Sequence, residues 1–394
     1  MSWEEKELVH IIDFYNNQRV PLSGIERSKV QGIYPYHGAQ GVVDHINKYI
    51  FDGKYILVAE DGENLRSRNQ DIARFANGQF WVNNHAHIIR GKKGICDDYF
   101  LKVNLNLIDI GGYVTGAAQP KLSMTNLRRI KINLPPLQTQ KRIADILSGY
   151  DDLIENNLKR IKLLEQAAQN IYKEWFVNLR FPEYENTPIN EETGLPQGWR
   201  NGVVSDLCEV KSGFAFKSKH WKKEGNPVMK IKNINNNTVD IDNSDFVDND
   251  VAGLAKKYEL FPGDVIIAMT GATVGKVGLI PKIGKRIYLN QRVGLFRPLT
   301  EENDNIALVF SFFLTDDSQQ QVLNFAQGAA QPNISGSEIG NIKLNIADSK
   351  VLSQFNKMIK PSFQLVQSLY GQNQKLKAAR DILLPRLMNR TIEV

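Results

Sequence analysis

One five-residue segment occurs twice in this chain. Gly-Ala-Ala-Gln-Pro begins at Gly116 and again at Gly328, 212 residues later. The same offset aligns the segment 130–133 (Ile-Lys-Ile-Asn) with 342–345 (Ile-Lys-Leu-Asn). A chain that carries two copies of one unit is expected to form two similar bodies. This favours a molecule that reads two separated sites over one that is built around a single active site.

Bulk properties limit the class of protein. At 394 residues, two or three domains are expected, and a composition of 42% apolar and 23% charged residues is typical of soluble globular proteins. No apolar run approaches the ~20 residues that cross a bilayer, and the acidic N-terminal segment lacks a signal-peptide core. Cys96 and Cys208 alone imply no disulfide framework or zinc cluster. We therefore expect a cytoplasmic protein with no membrane partner.

The chain alternates between globular and helical segments. Short apolar runs broken by Gly, Asn and Pro predict strands, for example Tyr55–Ala59 and its counterpart in the second copy, 264–268. The segment 288–290 corresponds to 81–83 at an offset of 207, so small insertions separate the copies. The predicted domains are globular at 1–135, helical at 136–182, globular at 183–346 and helical at 347–394.

Both helical segments show a heptad-like apolar seam. The first could reach roughly 60 Å, and so long a helix needs another long helix beside it. The two helices could pack in either sense, and the antiparallel sense would give the approximate twofold symmetry of duplex DNA recognition. The predicted seam residues are Ile143, Leu147, Ile154, Asn157, Ile161, Leu164, Ile171, Phe355, Ile359, Val366, Leu369, Asn373, Leu376 and Leu383.

Two features interrupt the seams. Asn157 and Asn373 are polar positions that could be buried and fix the register of the pair, or could be exposed where the seam frays. Pro361 aligns with Gly149, which predicts that both helices bend or restart at these positions.

A basic cluster lies early in the second copy. Between Lys211 and Lys232 there are seven lysines and one acidic residue, Glu224, and the lysines alternate with aromatic side chains. Such a cluster could bind phosphates or could be an ordinary solvated surface. The aspartate-rich stretch 240–250 would repel DNA, so we expect it to face away from the interface.

No catalytic motif is complete. The segment 271–278 resembles a phosphate-binding loop, but one spacing is short and Val277 stands where a hydroxyl is required, so we expect a glycine-rich turn that exposes Thr273 and Lys276. The segment 133–137 (Asn-Leu-Pro-Pro-Leu) does not match the Asn-Pro-Pro-aromatic motif of enzymes that methylate a base amino group, because Leu134 separates Asn from Pro and Leu137 is not aromatic. His85 and His87 alternate along a predicted strand without a third metal ligand.

Loop segments supply the candidate DNA contacts. Segments 34–41 and 60–69 are rich in donors and acceptors, although they could also be ordinary surface turns. Arg would suit guanine and Gln adenine. The candidates are Tyr34, Tyr36, His37, Gln40, Arg66, Arg68, His85, Lys217, Lys219, Lys230, Lys232, Thr270, Thr273, Lys276, Gln291 and Arg292.

Taken together, these motifs resemble a known family. The repeated Gly-Ala-Ala-Gln-Pro, the helix entry 134–143, the segment 195–199 (Leu-Pro-Gln-Gly-Trp) and the segments 263–267 and 271–275 are similar to the DNA sequence-specificity subunit of type I restriction–modification systems. The resemblance covers essentially the whole chain. The first unit departs from it, since only Trp3 represents the Leu-Pro-x-Gly-Trp opening, and its first strand is expected to be unusual or trimmed. The second helix lacks the Gln-x-Gln-Lys-Arg entry of the first.

The resemblance implies an α+β fold with two similar mixed α/β target-recognition domains. They would be joined by two long helices packed as a pseudo-twofold antiparallel coiled coil. It further implies a subunit without catalytic, cofactor or metal sites, which reads a bipartite sequence in double-stranded DNA. Methylation subunits, expected to be two, and restriction/translocase subunits would be its partners. S-adenosylmethionine, ATP and Mg would be bound by those partners.

Two other functions remain open from the sequence alone. The repeats could bind two protein partners, which would make the chain an adaptor without DNA specificity. A fused enzyme with a cryptic active site is the second alternative, and binding of S-adenosylmethionine by the isolated chain would support it.

Overall fold

A computed structural model describes residues 3–301, 304–326 and 332–394. The chain divides into two compact units, Met1–Asp152 with Ala378–Val394, and Leu153–Lys377. The limits of these units fall inside the two long helices, whereas the predicted domain limits lie near the beginning or after the end of those helices. The second Gly-Ala-Ala-Gln-Pro copy lies outside the described residues except for Pro332.

The first unit is built from three small sheets. Their strand orders are β1-β10, β2-β9-β6-β7 and β4-β3-β8-β5. The strands are β1 (Glu4–Glu7), β2 (Ile12–Phe14), β3 (Gln31–Gly38), β4 (Gly41–Ile46), β5 (Phe51–Asp52), β6 (Tyr55–Ala59), β7 (Ala73–Ala76), β8 (Gln79–Val82), β9 (Ala86–Gly91) and β10 (Lys131–Leu134).

Short helices connect these strands, and one long helix follows them. Asp97 caps α4, because its side chain accepts hydrogen bonds from the backbone N–H groups of Tyr99 and Phe100. The helices are α1 (Leu8–Ile11), α2 (Gly24–Ser28), α3 (Asn64–Ser67), α4 (Asp98–Leu107), α5 (Met124–Arg129) and α6 (Leu137–Tyr172).

The second unit repeats this plan and extends it. Its sheets have the orders β11-β22, β12-β21-β18-β19-β15-β14 and β16-β13-β20-β17. The strands are β11 (Arg200–Val203), β12 (Cys208–Ser212), β13 (Asn226–Met229), β14 (Ile234–Asn235), β15 (Thr238–Val239), β16 (Asp245–Val247), β17 (Glu259–Leu260), β18 (Val265–Ala268), β19 (Val277–Leu279), β20 (Ile287–Leu289), β21 (Val293–Pro298) and β22 (Lys343–Ile346). The helices are α7 (Asn249–Leu254), α8 (Ile306–Phe313), α9 (Asp316–Phe325), α10 (Gly336–Gly340) and α11 (Ser349–Met388).

The two units share sheet topology and register. The parallel pairing of β3 with β8 (His37 opposite Val82) recurs between β13 and β20 (Met229 opposite Leu289). The antiparallel trio β9-β6-β7 recurs as β21-β18-β19. The predicted duplication is therefore confirmed at the level of individual strand pairs. The mixture of small sheets and helices is that of an α+β protein.

The first strand of the chain corrects one expectation. Strand β1 pairs antiparallel with β10, and Glu4 lies opposite Leu134. In the same way, β11 pairs antiparallel with β22, and Arg200 lies opposite Ile346. Trp3 precedes β1 as Trp199 precedes β11. The expectation of an unusual or trimmed first strand is wrong, because the backbone pairing with β10 does not need the missing Leu-Pro-x-Gly residues.

Neither long helix restarts at the predicted break. Helix α6 runs through Gly149, and α11 runs through Pro361. A proline removes one backbone donor, and the neighbouring Ile359 is buried in the core of the second unit. Packing on both sides of the proline keeps this turn helical. Helix α11 begins at Ser349, where the sequence predicted it.

Within each unit the two helices are antiparallel. In the second unit Asn157 of α6 contacts Asn373 of α11. Further along α6, Ala168 lines the same small cavity as Ile359, which comes earlier in α11. In the first unit Ile143 and Leu387 share one apolar core. The seam residues are buried except for Leu164, Ile171, Leu376 and Leu383, which are half-buried.

The seam asparagines are paired and buried. Asn157 Nδ2 donates to Asn373 Oδ1 at 2.9 Å, and the two residues are 6% and 5% exposed. Asn373 Nδ2 lies 3.4 Å from the carbonyl of Ile154. The alternative of a frayed, exposed seam is therefore wrong. None of the described helices is long and apolar enough to cross a membrane.

Candidate nucleic-acid interface

The repeated pentapeptide has a definite structural role in the first unit. Its proline carbonyl accepts a hydrogen bond from the N–H of Gly62, just after β6, at 3.0 Å. Two residues later, Leu122 N–H donates to the carbonyl of Glu60 at 2.8 Å. Arg66, on α3, donates to the carbonyls of Gly116 (2.6 Å) and Ala117 (3.0 Å). The repeat thus fixes one loop against the end of a central strand.

The described part of the second copy repeats these bonds. Gly271 N–H donates to the Pro332 carbonyl at 2.9 Å, and Ile334 N–H donates to the Met269 carbonyl at 2.9 Å. Ser123 and Ser335 then cap α5 and α10 through their hydroxyl oxygens. The pentapeptide therefore corresponds to a strand-end clamp that occurs once in each unit.

A second loop joins this clamp in both units. Asn83 follows β8 and accepts a hydrogen bond from His85 N–H, as Asn290 follows β20 and accepts from Arg292 N–H. The carbonyls of His85 and Arg292 accept hydrogen bonds from Glu60 and Met269, respectively. We call the combined surface the loop face of each unit. It comprises 60–62, 83–85 and 116–121 in the first unit, and 269–271, 290–292 and 332–334 in the second.

One candidate, His85, lies on the loop face of the first unit, and two others, Gln40 and Arg66, lie beside it. His85 is exposed, and its Nδ1 lies 2.6 Å from an Asp61 carboxylate oxygen. Gln40 is exposed on the β3–β4 turn next to Gly62, and Arg74 donates to that turn at the carbonyls of Gly38 and Ala39. Arg66 is also exposed, although its guanidinium already binds the pentapeptide loop.

Other candidates of the first unit are structural. Tyr36 is fully buried, and its hydroxyl accepts a hydrogen bond from Leu22 N–H. His37 is 9% exposed, and burial lowers its pKa to about 4. Arg68 donates to three carbonyls where α4 ends. Tyr36 and His37 have almost no exposed surface for a DNA contact, whereas Arg68 is half-buried and satisfies the last carbonyls of α4. Tyr34 is half-buried against Tyr49.

The second loop face carries two exposed candidates from one turn. Gln291 and Arg292 are exposed, and Gln291 N–H donates to the carbonyl of Phe214 at 3.0 Å. That bond places the turn beside the aromatic segment that contains Phe214 and Trp221. Thr273 is half-buried on the neighbouring turn.

Thr270 and Lys276 do not lie on the turn that carries Gln291 and Arg292. Thr270 is 6% exposed, and its hydroxyl donates to the Pro332 carbonyl at 3.2 Å, so its assignment to DNA was wrong. Lys276 is exposed, as predicted for a glycine-rich turn. It lines a groove with Asn237 and Gln319, away from the Gln291 turn.

The basic cluster is partly neutralised. Lys230 and Lys232 bind the Asp245 carboxylate at 2.8 and 3.1 Å, and Lys222 lies 3.5 Å from Asp248. Burial raises the pKa of Asp245, but the two lysines outweigh this and hold the pKa below its usual range. Strand β16 of the aspartate-rich stretch pairs with β13 and brings Asp245 to these lysines, so this part of the stretch lies beside the basic cluster.

Lys211 also has an acidic partner, Glu209, at 3.0 Å, whereas two other lysines of this cluster are free to bind phosphates. Lys217 and Lys219 are exposed, and within the ranges that the structure describes neither has an acidic partner. Lys230 lies 3.4 Å above the ring of Trp221, which ties the cluster to the aromatic segment. The second loop face thus combines exposed polar side chains with nearby unpaired cations.

The structure also contains polar groups that no sequence motif indicated. Glu60 binds Arg19 at 2.9 Å and lies 3.6 Å from Lys121. His87, fully buried, donates from Nε2 to the Leu122 carbonyl and accepts at Nδ1 from Asn16. Burial lowers the pKa of His87. Among the described residues, no group of three or more His, Cys, Asp or Glu side chains could hold a metal ion.

Comparisons with known proteins agree with this architecture. A family model described as the type I restriction modification DNA specificity domain matches residues 1–166 and again 196–360. The MjaVIII type I restriction enzyme specificity subunit of Methanocaldococcus jannaschii is 25% identical over 414 residues, which cover 99% of this chain and 94% of that protein. The HindI specificity subunit of Haemophilus influenzae is 23% identical over 68% of this chain and 71% of its own.

A solved structure shares the fold. The crystal structure of the type I restriction–modification S subunit from M. genitalium aligns with a TM-score of 0.63 at 16% sequence identity. The alignment covers 98% of this chain and 96% of that one. The likeness therefore extends over the full described architecture, with both units and both long helices.

Proposed function

Because the chain belongs to the type I restriction–modification DNA specificity family, we propose that it recognises a bipartite DNA sequence, one half with each unit. It is a specificity subunit and not a catalytic one. On this proposal, partner subunits carry out methylation and restriction at the sites that it selects.

The duplicated loop face is the observation that supports this function. Each unit presents loops at the ends of its central strands, clamped by the same backbone hydrogen bonds but carrying different exposed side chains. A constant frame with variable side chains suits the reading of two different half-sites. His85, Gln40 and Arg66 would contact the first half-site, and Gln291 and Arg292 the second.

Affinity and specificity would come from different groups. Lys217 and Lys219 would bind phosphates, which contribute affinity that falls with salt concentration. Side chains on the turns would contact base edges, where Arg pairs with guanine and Gln with adenine in the major groove. Tyr34, Thr273 and Lys276 remain weaker candidates, since the first two are half-buried and the third lies at a separate groove.

The long helices would serve as spacer and as docking surface for two methylation subunits. On α6 within the second unit, Leu153, Leu158 and Leu163 are 52%, 48% and 70% exposed. Their five-residue spacing turns successive side chains by about 140° around the helix, so the three leucines lie on different sides of α6 and do not form one patch. S-adenosylmethionine, ATP and Mg would be held by the partner subunits, in the cytoplasm where the DNA lies.

Selection from random duplexes tests the proposal. The chain, co-expressed with its methylation subunits, should enrich duplexes that carry two short specified segments separated by a gap without sequence preference. An adaptor without DNA specificity would enrich no sequence. The Gln291→Ala variant should change only one of the two segments.

A further inference from the structure

In each unit, one carboxylate on α6 binds both the α/β body and α11. In the first unit this carboxylate is Asp151. The hydroxyl of Tyr99, on α4, donates to Asp151 Oδ2 at 2.6 Å, and Arg380 of α11 donates to Oδ1 at 2.6 Å. Lys102, also on α4, lies 3.6 Å from the same carboxylate. We call this group the first anchor.

The second unit contains a cluster of the same design but different chemistry. Glu165 of α6 accepts a hydrogen bond from Asn237 Nδ2 at 2.9 Å, and the Tyr370 hydroxyl of α11 lies 3.2 Å from its other oxygen. That hydroxyl also lies 2.9 Å from the Asn236 carbonyl. We call this group the second anchor. Its body contacts come from the β14–β15 turn.

The turn of the second anchor is built for this contact. Asn236 and Asn237 both have positive φ, at 48° and 60°. Two consecutive residues of this kind form the tight hairpin turn in which asparagine is favoured. The turn projects the Asn237 amide onto Glu165 at the side of α6. Glu165 is half-buried there, and burial raises its pKa.

Apolar packing alone would leave the orientation of each body loosely defined. The cores of both units join helix and body through aliphatic and aromatic side chains, for example Phe100 with Leu147 in the first unit. Hydrophobic attraction has no preferred direction. Hydrogen bonds weaken steeply when their angle changes. Each anchor therefore supplies the directional contact between a body and the helix pair.

We propose that the first and second anchors set the angle at which each body presents its loop face, and thereby the spacer length that the protein accepts. This rests on the proposed function. Tyr99 and Tyr370 are then positioning residues for sequence recognition, although neither lies on a loop face. One base pair more or less between half-sites rotates one of them by roughly 35° about the duplex axis. A firmly held body should reject that change.

Removing one hydroxyl tests the role of each anchor. Tyr99→Phe keeps the aromatic ring and deletes the hydrogen bond to Asp151. Tyr370→Phe keeps the ring and removes the hydroxyl that lies between the Asn236 carbonyl and the Glu165 carboxylate. Tyr184→Phe is the matched control, since its exposed hydroxyl lies 3.4 Å from Glu185 and outside both anchors. The full chain with its methylation subunits is titrated with duplexes that carry the selected site, and with the same site lengthened or shortened by one base pair.

The ratio of affinities between the selected and altered spacers is the decisive quantity. We expect each anchor variant to lower this ratio by about threefold to tenfold, which is the range that the net loss of one ordinary hydrogen bond implies. The control should leave it unchanged. A purely stabilising role would lower affinity for all spacers equally and leave the ratio constant, which would overturn the proposal.

Failure of the proposed function would look different. A wild-type complex without preference for any two-part site would refute DNA recognition itself, and the role of the anchors with it. A wild-type complex that prefers one spacer, together with anchor variants that keep the wild-type ratio, would refute the anchor proposal alone.

Discussion

Replacing Asn157 by leucine should destabilise the second unit, and replacing Asn373 as well should restore it. The two amides form a 2.9 Å hydrogen bond and are 6% and 5% exposed, so a single substitution leaves one buried amide unpaired. An unsatisfied buried polar group costs about 1–3 kcal/mol, whereas replacing both partners with apolar side chains is nearly neutral. The free energy of coupling is the sum of the two single losses when the double variant loses almost nothing, so it should be about 2–6 kcal/mol.

A double-mutant cycle measures this coupling. Wild type, Asn157→Leu, Asn373→Leu and the double variant are unfolded in urea, and the transition of the second unit is followed by tryptophan fluorescence. The double variant should be about as stable as wild type but should select its DNA spacer less strictly, because a buried asparagine pair specifies helix register. Additive effects, with coupling below about 0.5 kcal/mol, would refute the register interpretation.

Two further predictions concern charge. Lys217→Ala combined with Lys219→Ala should flatten the dependence of log K on log salt by about 0.9 for each phosphate that the variant no longer neutralises. Lys232→Ala should change this slope less, since Asp245 already pairs with this lysine. Fluorescence anisotropy across a salt series measures the slope for both variants. An unchanged slope in the Lys217→Ala, Lys219→Ala variant would exclude this patch from the interface. Burial beside Arg74 and His45 lowers the pKa of His37 to about 4, below the unfolded value of 6.5, so the unfolded chain takes up the proton first and stability falls as the pH drops below about 6.5. The loss contributed by His37 should reach about 2 kcal/mol at pH 5. His37→Met, which introduces the residue found at the matching position of the second unit, should remove this contribution in urea titrations and leave the contribution of buried His87; an equal loss in the variant would contradict this assignment.

The duplicated fold was predictable because its signals are local or periodic. The pentapeptide, the strand-like apolar runs and the heptad seams each repeat at nearly constant offsets. Strand pairs and helix bounds follow from such patterns. From the sequence, Asn157 could be either buried in the seam or exposed to solvent. Only its packing against Asn373 of α11 shows that it is buried.

The candidate contacts were less predictable because exposure depends on neighbouring elements. The aromatic, glycine-rich surroundings of Tyr36 predicted a readout residue, yet β3 lies inside a sheet. Comparison of the two copies would have indicated that Tyr36 is buried, since the matching position in β13 is Val228, a typical core residue. The pairing of Lys230 with Asp245 joins residues 15 positions apart in sequence, and no linear motif marks such a contact.

Mapping of methylated bases tests the central claim most directly. Genomic DNA is sequenced from a strain that expresses the chain with its methylation subunits, once for wild type and once for the Gln291→Ala, Arg292→Ala variant. We predict a motif of two specified segments around an unspecified gap, of which the variant alters one segment and leaves the other intact. A single continuous motif, or a variant that changes both segments together, would contradict the assignment of one half-site to each unit.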